Sequence, residues 1–216
     1  MDFVPLGDAA ALAHFPNEGA ALCFAEAVRR LNEDWLIDVV QAYASVAVYF
    51  DLDRTQFHKV AERLQRVAPT EGHTIERKSH RIPCCYDFAP DLRRVAEQTG
   101  LSAEDVIRLH SGTEYTIFAI GFCPGFPYLG YLPPQLSGVP RLESPRMRVE
   151  PGSVGLTGRQ TGIYTEARPG GWNLIGRTPL ELVNVADSYF PLRTGDQVRF
   201  ERIDEQEFER LRGKRL

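Results

Sequence analysis

With 216 residues, the chain is long enough for one large domain or two small ones, each with its own core. The composition is ordinary, and the net charge of −4 argues against binding nucleic acid by bulk electrostatics. No apolar run approaches the ~20 residues that a membrane-spanning helix needs, and the N-terminal stretch lacks the basic segment of a signal peptide. We therefore expect a cytoplasmic protein that binds neither nucleic acid nor membrane.

The N-terminal part of the chain alternates strand and helix patterns. Strands are predicted within residues 1–15, over 36–42 and 45–50, and near 73–83, with helices capped by Asn17 and Thr55. The order strand, helix, strand, strand, helix, strand is that of a split βαβ or ferredoxin-like unit. Residues 1–82 are therefore expected to form a small α+β domain.

The pattern changes after residue 82. Two short helices are predicted, one ending at Gly100 and one that begins with a capping box at Ser102 and ends near His110. Alternating or β-branched runs then predict strands over 113–120, 179–184 and 196–201. We expect residues 83–216 to form a mostly β, closed or curved sheet, which makes the chain an α+β protein of two domains.

The stretch from Gly121 to Gly176 holds 11 of the 18 glycines and 8 of the 15 prolines. Such density opposes long helices and suits short strands joined by shaped turns. A disordered linker would lack the aromatic and aliphatic residues that are interleaved here. The stretch is thus predicted to be an ordered, loop-rich surface of the β domain, where function is often located.

Sequence motifs exclude several kinds of chemistry. No G-x-S-x-G elbow and no phosphate-binding P-loop occurs, so any ATP site is not a recognisable P-loop on this chain. The four cysteines, Cys23, Cys84, Cys85 and Cys123, lack metal-ligand spacing and are expected to be buried thiols in a reducing compartment. No metal site is predicted.

Polar residues on the stiff turns are the remaining candidates. The arginines around Ser144-Pro145 could bind carboxylate or phosphate, or could simply solvate the outer face of a strand. Gln160 and Thr161 lie between glycines, as in a ligand-binding loop or a plain hairpin. Trp172 is interpreted equally as a core residue or a pocket wall, and His110 as a proton carrier or a helix cap.

Four ordered blocks together resemble a known family. They are GFCPGFPYLG at 121–130, SPRMRVEPGSVG at 144–155, GRQTGIY at 158–164 and PGGWNLIGRTP at 169–179. With these blocks the chain resembles the family of 5-oxoprolinase B subunits (PxpB), also called kinase A inhibitor (KipI) or allophanate hydrolase subunit 1. The resemblance covers nearly the whole chain and implies a cyclophilin-like β-barrel behind a small α/β N-terminal domain.

The resemblance also implies a function. The B subunit would act with the A and C subunits, the latter KipA-like, to convert 5-oxo-L-proline, ATP and water to L-glutamate, ADP and phosphate. The chain alone would be inactive, and ATP would bind in the assembled complex. Alternatives are an inhibitor of a sporulation-type histidine kinase and an ancillary subunit of urea or allophanate metabolism.

Opening an unactivated cyclic amide needs cationic donors, groups that hold the ring and an acid/base. The catalytic residues are hypothesised to be His110 as proton carrier, Arg146 for anion binding and Gln160 for orienting the amide. The substrate-binding residues are hypothesised to be Arg148, which also binds the anion, Thr161 and Asn173, which help to orient the amide, and Tyr128, Tyr164 and Trp172, which form the pocket walls.

Overall fold

The structure is a computed structural model, and it describes residues 1–67 and 77–216. The chain divides into two compact units, Met1–Glu76 and Arg77–Leu216. Both units combine helices with strands, which confirms the predicted α+β class. Within the described ranges, no helix has the length and apolar character required to cross a bilayer.

In the first unit, strands and helices alternate much as predicted. Its described elements are β1 (Val4–Pro5), β2 (Ala10–His14), α1 (Glu18–Arg29), β3 (Leu36–Ala42), β4 (Ser45–Phe50) and α2 (Phe57–Gln65). The strands pair antiparallel in the order β1-β2-β4-β3. Their apolar face packs with both helices around Phe24, Val48 and Leu64, which form the core of this unit.

The helix starts in this unit test the predicted caps. Asn17 caps α1 as expected, because its side-chain oxygen accepts a hydrogen bond of 2.9 Å from the backbone N–H of Ala20. The predicted cap of α2 is wrong by one residue. Gln56 is the N-cap and makes no side-chain capping bond, whereas Thr55 is buried before it.

The strand predicted near residues 73–83 is placed differently by the structure. Residues 68–76, which include its first four residues, lie outside the described residues. The strand that follows is β5 (Ser79–Cys85), and it belongs to the second unit, so the predicted boundary between residues 82 and 83 falls inside it. The side chains of Ile82 and Cys84 on this strand lie in the hydrophobic core of the second unit, so β5 belongs with that unit.

The second unit is built mainly from short strands. After β5 come α3 (Leu92–Thr99), α4 (Ala103–Ser111), β6 (Glu114–Ile120), β7 (Pro127–Gly130), a 3-10 turn (Pro134–Leu136), β8 (Arg146–Val149), β9 (Ser153–Thr157), β10 (Gln160–Ile163), β11 (Arg168–Gly170), β12 (Asn173–Arg177), β13 (Gln197–Ile203) and α5 (Glu205–Leu211).

Seven of these strands close into a barrel. The order is β6-β13-β5-β12-β9-β10-β7, and β7 pairs again with β6 to complete the ring. All pairs are antiparallel except β13 with β5, which are parallel. The interior is filled by aliphatic and aromatic side chains, among them Ile117, Leu156 and Phe200. The closed barrel agrees with the cyclophilin-like barrel that the resemblance implies.

The two predicted helices of this unit are present with their predicted ends. Gly100 ends α3 in the left-handed conformation at φ +70°, which a residue with a Cβ rarely adopts. Ser102 begins α4, and its hydroxyl oxygen accepts from the backbone N–H of Asp105 at 3.1 Å. Val95, Val106 and Ile107 from these helices pack into the barrel core.

One predicted strand is absent. Residues 179–184 form only isolated bridges, Glu181 with Arg215 and Asn184 with Tyr189, rather than a strand. The apolar residues Leu180 and Leu182 produce the alternation that predicted it, but they pack onto the barrel core from an irregular segment. Periodicity alone does not show whether a neighbouring strand is available for pairing.

Candidate functional site

A cluster of aromatic side chains lies outside the main barrel core. Phe126 is at its centre, with ring centroids 4.9 Å from Tyr128, 5.3 Å from Tyr164 and 5.6 Å from Trp172. Most of these rings meet edge to face, which is a favoured geometry for aromatic pairs. Phe122 joins the cluster against Phe126 and Tyr164 although 59% of its surface is exposed.

Three parts of the Gly/Pro-rich stretch bring these rings together. Tyr128 is on β7 and Tyr164 directly follows β10, and these two strands are paired in the barrel wall. Trp172 directly precedes β12. A separate two-stranded ribbon, formed by β8 and β11, connects to the same region, with Gly170 opposite Arg146. The prolines and glycines predicted to shape turns therefore position the aromatic side chains.

These residues enclose a pocket of about 330 Å³, which we call the aromatic pocket. It is lined by Phe122, Phe126, Tyr128, Arg141, Pro145, Tyr164, Pro169, Gly170, Gly171 and Trp172. Its volume is at the lower end of the range of roughly 300–1,000 Å³ found for small-molecule sites. Mostly apolar walls with few polar groups are also typical of such sites.

One glycine is required by this wall. A Cβ at Gly170 would lie 2.3 Å from the hydroxyl oxygen of Tyr164 and 2.8 Å from its ring. Such contacts are too short for any side chain, so the ring and the ribbon approach each other as closely as only glycine permits.

The pocket contains hydrogen-bond donors without partners in the described part of the chain. The guanidinium of Arg141, the phenol of Tyr128 and the indole N–H of Trp172 make no hydrogen bond or ion pair there. Burial raises the pKa of both Tyr128 and Tyr164, and the positive charge of Arg141 acts on each in the opposite direction. Arg141 therefore lies close enough to influence both phenols.

The structure brings together three of the nine residues predicted to form the site. Tyr128, Tyr164 and Trp172, the hypothesised walls, all line the aromatic pocket. Their roles toward a ligand stay predictions. The other six are placed elsewhere, and each has a specific set of contacts.

Arg146 is held by a carboxylate. Its Nη2 donates to Asp91 Oδ1 at 2.6 Å, and its Nη1 makes a long contact of 3.5 Å with the carbonyl oxygen of Trp172. The other carboxylate oxygen of Asp91 accepts from the backbone N–H of Leu174 at 2.7 Å. Asp91 thus joins the ribbon to β12, and the charge of Arg146 is already compensated.

Asn173 is fully buried and its amide is saturated. The nitrogen donates to the carbonyl oxygens of Pro140 and Leu156, and the oxygen accepts from Arg94. These bonds fix the segment around Pro140 beside β12. Asn173 therefore shapes the loop that carries Arg141.

Arg148 lies on the exposed side of the ribbon. Its guanidinium donates to both carboxylate oxygens of Glu150, at 2.7 Å and 3.3 Å. Both side chains are about half exposed or more. Of the two interpretations left open for the arginines around Ser144-Pro145, this geometry matches the solvated outer face of a strand.

His110 and Thr161 meet inside the barrel. His110 is fully buried, with Nδ1 2.8 Å from the hydroxyl of Tyr86 and Nε2 3.0 Å from the hydroxyl of Thr161. Thr161 donates its own proton to the carbonyl oxygen of Gly155, so we infer that Nε2 carries the imidazole proton and Nδ1 accepts from Tyr86. Burial lowers the pKa of His110 to about 3, which keeps the ring neutral.

Gln160 begins β10 and is paired with Gly130 of β7 and Thr157 of β9. It is partly exposed and does not line the aromatic pocket. Its hypothesised role in orienting an amide stays a prediction.

Sequence reasoning missed Asp91, which has no local motif around it, and gave no separate role to Arg141. The only sequence signal for Arg141 is its position directly after Pro140, at the edge of the arginine-rich block. No group of three or more acidic, cysteine or histidine side chains that could hold a metal is found among the described residues. The described residues that line the aromatic pocket include one cation, Arg141, and no nucleophile paired with a base.

Comparison with known proteins supplies an independent line of evidence. The family model described as "Carboxyltransferase domain, subdomain C and D" matches residues 1–191. The chain is 36% identical to the B subunit of the 5-oxoprolinase of Bacillus subtilis, over 94% of this chain and 93% of that protein. It is 51% identical to the protein of the same name from Escherichia coli O157:H7, over 64% of this chain and 65% of that one.

Two solved structures resemble this chain over most of its length, one within a longer chain and one over the whole of the other chain. TTHA0988 is 34% identical with a TM-score of 0.81, over 91% of this chain, which spans only 40% of that longer chain. The uncharacterized protein PH0987 from Pyrococcus horikoshii is 38% identical with a TM-score of 0.57, over 96% of this chain and all of that one.

The urea amidolyase of K. lactis is 19% identical with a TM-score of 0.73, over 97% of this chain and 15% of that one, which shows a shared fold. Because the family model spans most of the sequence and full-length relatives exceed 30% identity, the chain belongs to the carboxyltransferase subdomain C and D family, among the B subunits of 5-oxoprolinases.

Proposed function

We propose that this chain is the B subunit of an ATP-dependent 5-oxoprolinase and works together with the A and C subunits. The observation that carries the proposal is the extent of the similarity to proteins of that name, which reaches 93% and 97% of the length of two of them. The partner subunits are supported by the word subunit in those names.

The chemistry of the reaction agrees with a pocket that binds rather than cleaves. Transfer of the γ-phosphoryl group of ATP to the lactam oxygen activates an otherwise inert amide. One water then adds to the ring carbon and the C–N bond breaks, which frees the amine and leaves a γ-glutamyl phosphate. A second water hydrolyses this acyl phosphate, so that glutamate, ADP and phosphate result. In this scheme the aromatic pocket, with Tyr128, Tyr164 and Trp172 as walls, holds the ring, and ATP is bound in the assembled complex.

The remaining polar residues are assigned supporting roles within the proposal. Arg146 positions Trp172 and the ribbon through Asp91, and Asn173 positions the segment that precedes Arg141. For His110, Gln160 and Thr161, a direct part in proton transfer or amide orientation is kept as a hypothesis. The buried bonds of His110 to Tyr86 and Thr161 favour a structural role.

We also propose that the N-terminal part of the chain is a ferredoxin-like domain. In the sheet the strand order is β2-β4-β3, and in the sequence α1 connects β2 to β3. Two strands joined by a helix with a third strand between them form a split βαβ unit. In the structure a short strand, β1, occupies the edge beside β2.

The test is reconstitution. The three subunits would be co-expressed and purified as a complex, and glutamate release from 5-oxoproline would be followed with and without ATP. We expect ATP-dependent release by the complete complex and none by this chain alone. A folded complex of all three that released no glutamate, or that hydrolysed urea-derived amides instead, would contradict the proposal.

A further inference from the structure

We infer that Arg141 anchors the carboxylate of the ligand in the aromatic pocket, so that the pocket selects small, flat rings that carry one negative charge. The inference rests on the proposed function in so far as 5-oxoproline is such a molecule. It differs from the sequence-based hypothesis, which assigned anion binding to Arg146 and Arg148.

The charge of Arg141 is available for a ligand. Four arginines lie on the ribbon or just before it, and three of them have a carboxylate partner: Arg146 with Asp91, Arg148 with Glu150 and Arg168 with Glu166. Arg141 has no such partner among the residues that the structure describes, and it lines the pocket. A guanidinium is suited to bidentate binding of a carboxylate, and its own charge is here uncompensated.

The space beside Arg141 is bounded by two aromatic rings with hydrogen-bond donors. Tyr128 and Trp172 have ring centroids 5.8 Å apart and meet at 67°, so the wall offers two apolar surfaces at an angle. The phenol of Tyr128 and the indole N–H of Trp172 are donors without partners in the described part of the chain. A lactam carbonyl is an acceptor of the kind that these donors need.

The lining of the aromatic pocket also bears on the charge of the ligand. Binding sites for phosphate groups typically use several backbone N–H groups or several cations. Among the described residues that line the aromatic pocket, Arg141 is the only one with a charged side chain, and Pro145 and Pro169 have no backbone N–H to donate. One arginine among aromatic rings matches a monocarboxylate better than a nucleotide phosphate.

The experiment uses Trp172 as a reporter in the full-length chain. The protein has two tryptophans, so a Trp35→Phe background leaves Trp172 as the only one. Its fluorescence would be titrated with 5-oxoproline, with cyclopentanecarboxylate, which lacks the amide, and with 2-pyrrolidinone, which lacks the carboxylate. We expect both acids to bind and the neutral lactam to bind much more weakly.

Substitutions then identify the anchor. Arg141→Gln should weaken binding of both acids about 10- to 100-fold, as expected for a lost charge-assisted hydrogen bond, without changing binding of 2-pyrrolidinone. Arg141→Lys should retain part of the affinity. Arg81→Gln, which removes an exposed arginine paired with Glu201 on the barrel, is the matched control and should bind like the parent. Urea midpoints equal to that of the parent would exclude misfolding as the cause.

The same variants in the reconstituted complex separate this inference from the proposed function. Arg141→Gln should raise the KM for 5-oxoproline by a similar factor. If the complex turns over normally with this variant, the anchor is elsewhere and the inference is wrong, although the proposed function stands. Conversely, charge-dependent binding to the chain without any turnover by the complex would contradict the proposed function alone. Failure of both acids to bind the parent chain would overturn the inference.

Discussion

The barrel interior and the aromatic pocket treat polar side chains in opposite ways. Inside the barrel, His110 bonds to Tyr86 and Thr161, and every donor and acceptor in that chain of bonds has a partner. In the pocket, by contrast, Arg141 and the donors of Tyr128 and Trp172 have none in the described residues. Buried groups without water must satisfy each other, whereas a binding site keeps donors available for its ligand.

This difference separates the polar residues of the Gly/Pro-rich stretch that hold the fold together from Arg141, which lines the aromatic pocket. A polar residue in a Gly/Pro-rich stretch has the same sequence signature whether it is saturated or free. Arg146 proved to be paired with Asp91, and the amide of Asn173 proved to be saturated. Arg141, only five positions before Arg146, has no partner in the described part of the chain. Availability of the side chain, rather than residue type, separates a supporting residue from a ligand-binding one.

The largest expected effect is a loss of stability when the carboxylate of Asp91 is removed. Asp91→Ala would leave the charge of Arg146 and the N–H of Leu174 without their acceptor, in a site where the Asp91 side chain is only 9% exposed. We expect the free energy of unfolding to fall by about 3 kcal/mol, measured by urea denaturation.

The matched control for that prediction lies on the ribbon beside Arg146. Arg148→Ala removes an exposed arginine whose partner, Glu150, is also exposed, so the urea midpoint should not change measurably. Equal losses of stability for Asp91→Ala and Arg148→Ala would contradict the distinction between the partly buried ion pair of Asp91 and the exposed ion pair of Arg148.

The second prediction concerns the pH dependence of stability. Burial depresses the pKa of His110 to about 3, whereas the unfolded chain takes up a proton near pH 6.5, so the unfolded state binds more protons between these values. Stability is therefore lost as pH falls below about 6.5. Between pH 7 and pH 5, this one group should cost the parent protein about 2 kcal/mol.

A variant without an ionisable side chain isolates that contribution. His110→Gln should be less stable at pH 7, but its urea midpoint should fall less than that of the parent between pH 7 and pH 5. Parallel pH profiles for the two proteins would show that His110 does not titrate differently on folding, and would favour its hypothesised role as a proton carrier.

The smallest expected effect is in the pocket itself. Tyr128→Phe removes one hydroxyl group that has no protein partner in the described residues, so stability should be unaffected. If that hydroxyl donates to the ligand, the KM of the complex for 5-oxoproline should rise about fivefold, since a hydrogen bond contributes about 1 kcal/mol. An unchanged KM would show that the Tyr128 hydroxyl does not donate to the ligand, and would leave Arg141 and Trp172 as the available donors of the pocket.

The fold was predictable to the extent that its signals are local. The cap at Asn17, the left-handed end at Gly100 and the capping box at Ser102 are each set within a few residues, and all three are confirmed. The predicted strand over 179–184 is wrong because an alternating pattern does not reveal whether a pairing edge is free. The strand near residue 80 was assigned to the first unit for the same reason.

By itself, the sequence determined the α+β class and a loop-rich β region that holds the aromatic residues Tyr128, Tyr164 and Trp172, because glycine and proline act through local backbone angles and aromatic residues through burial. Only the tertiary structure decided which polar groups are satisfied. Arg146 lies 55 residues from Asp91 along the chain, and Thr161 lies 51 residues from His110, and no local pattern records such pairings. Arg141 became a candidate anchor only because the fold leaves it without a partner in the described residues, beside those walls.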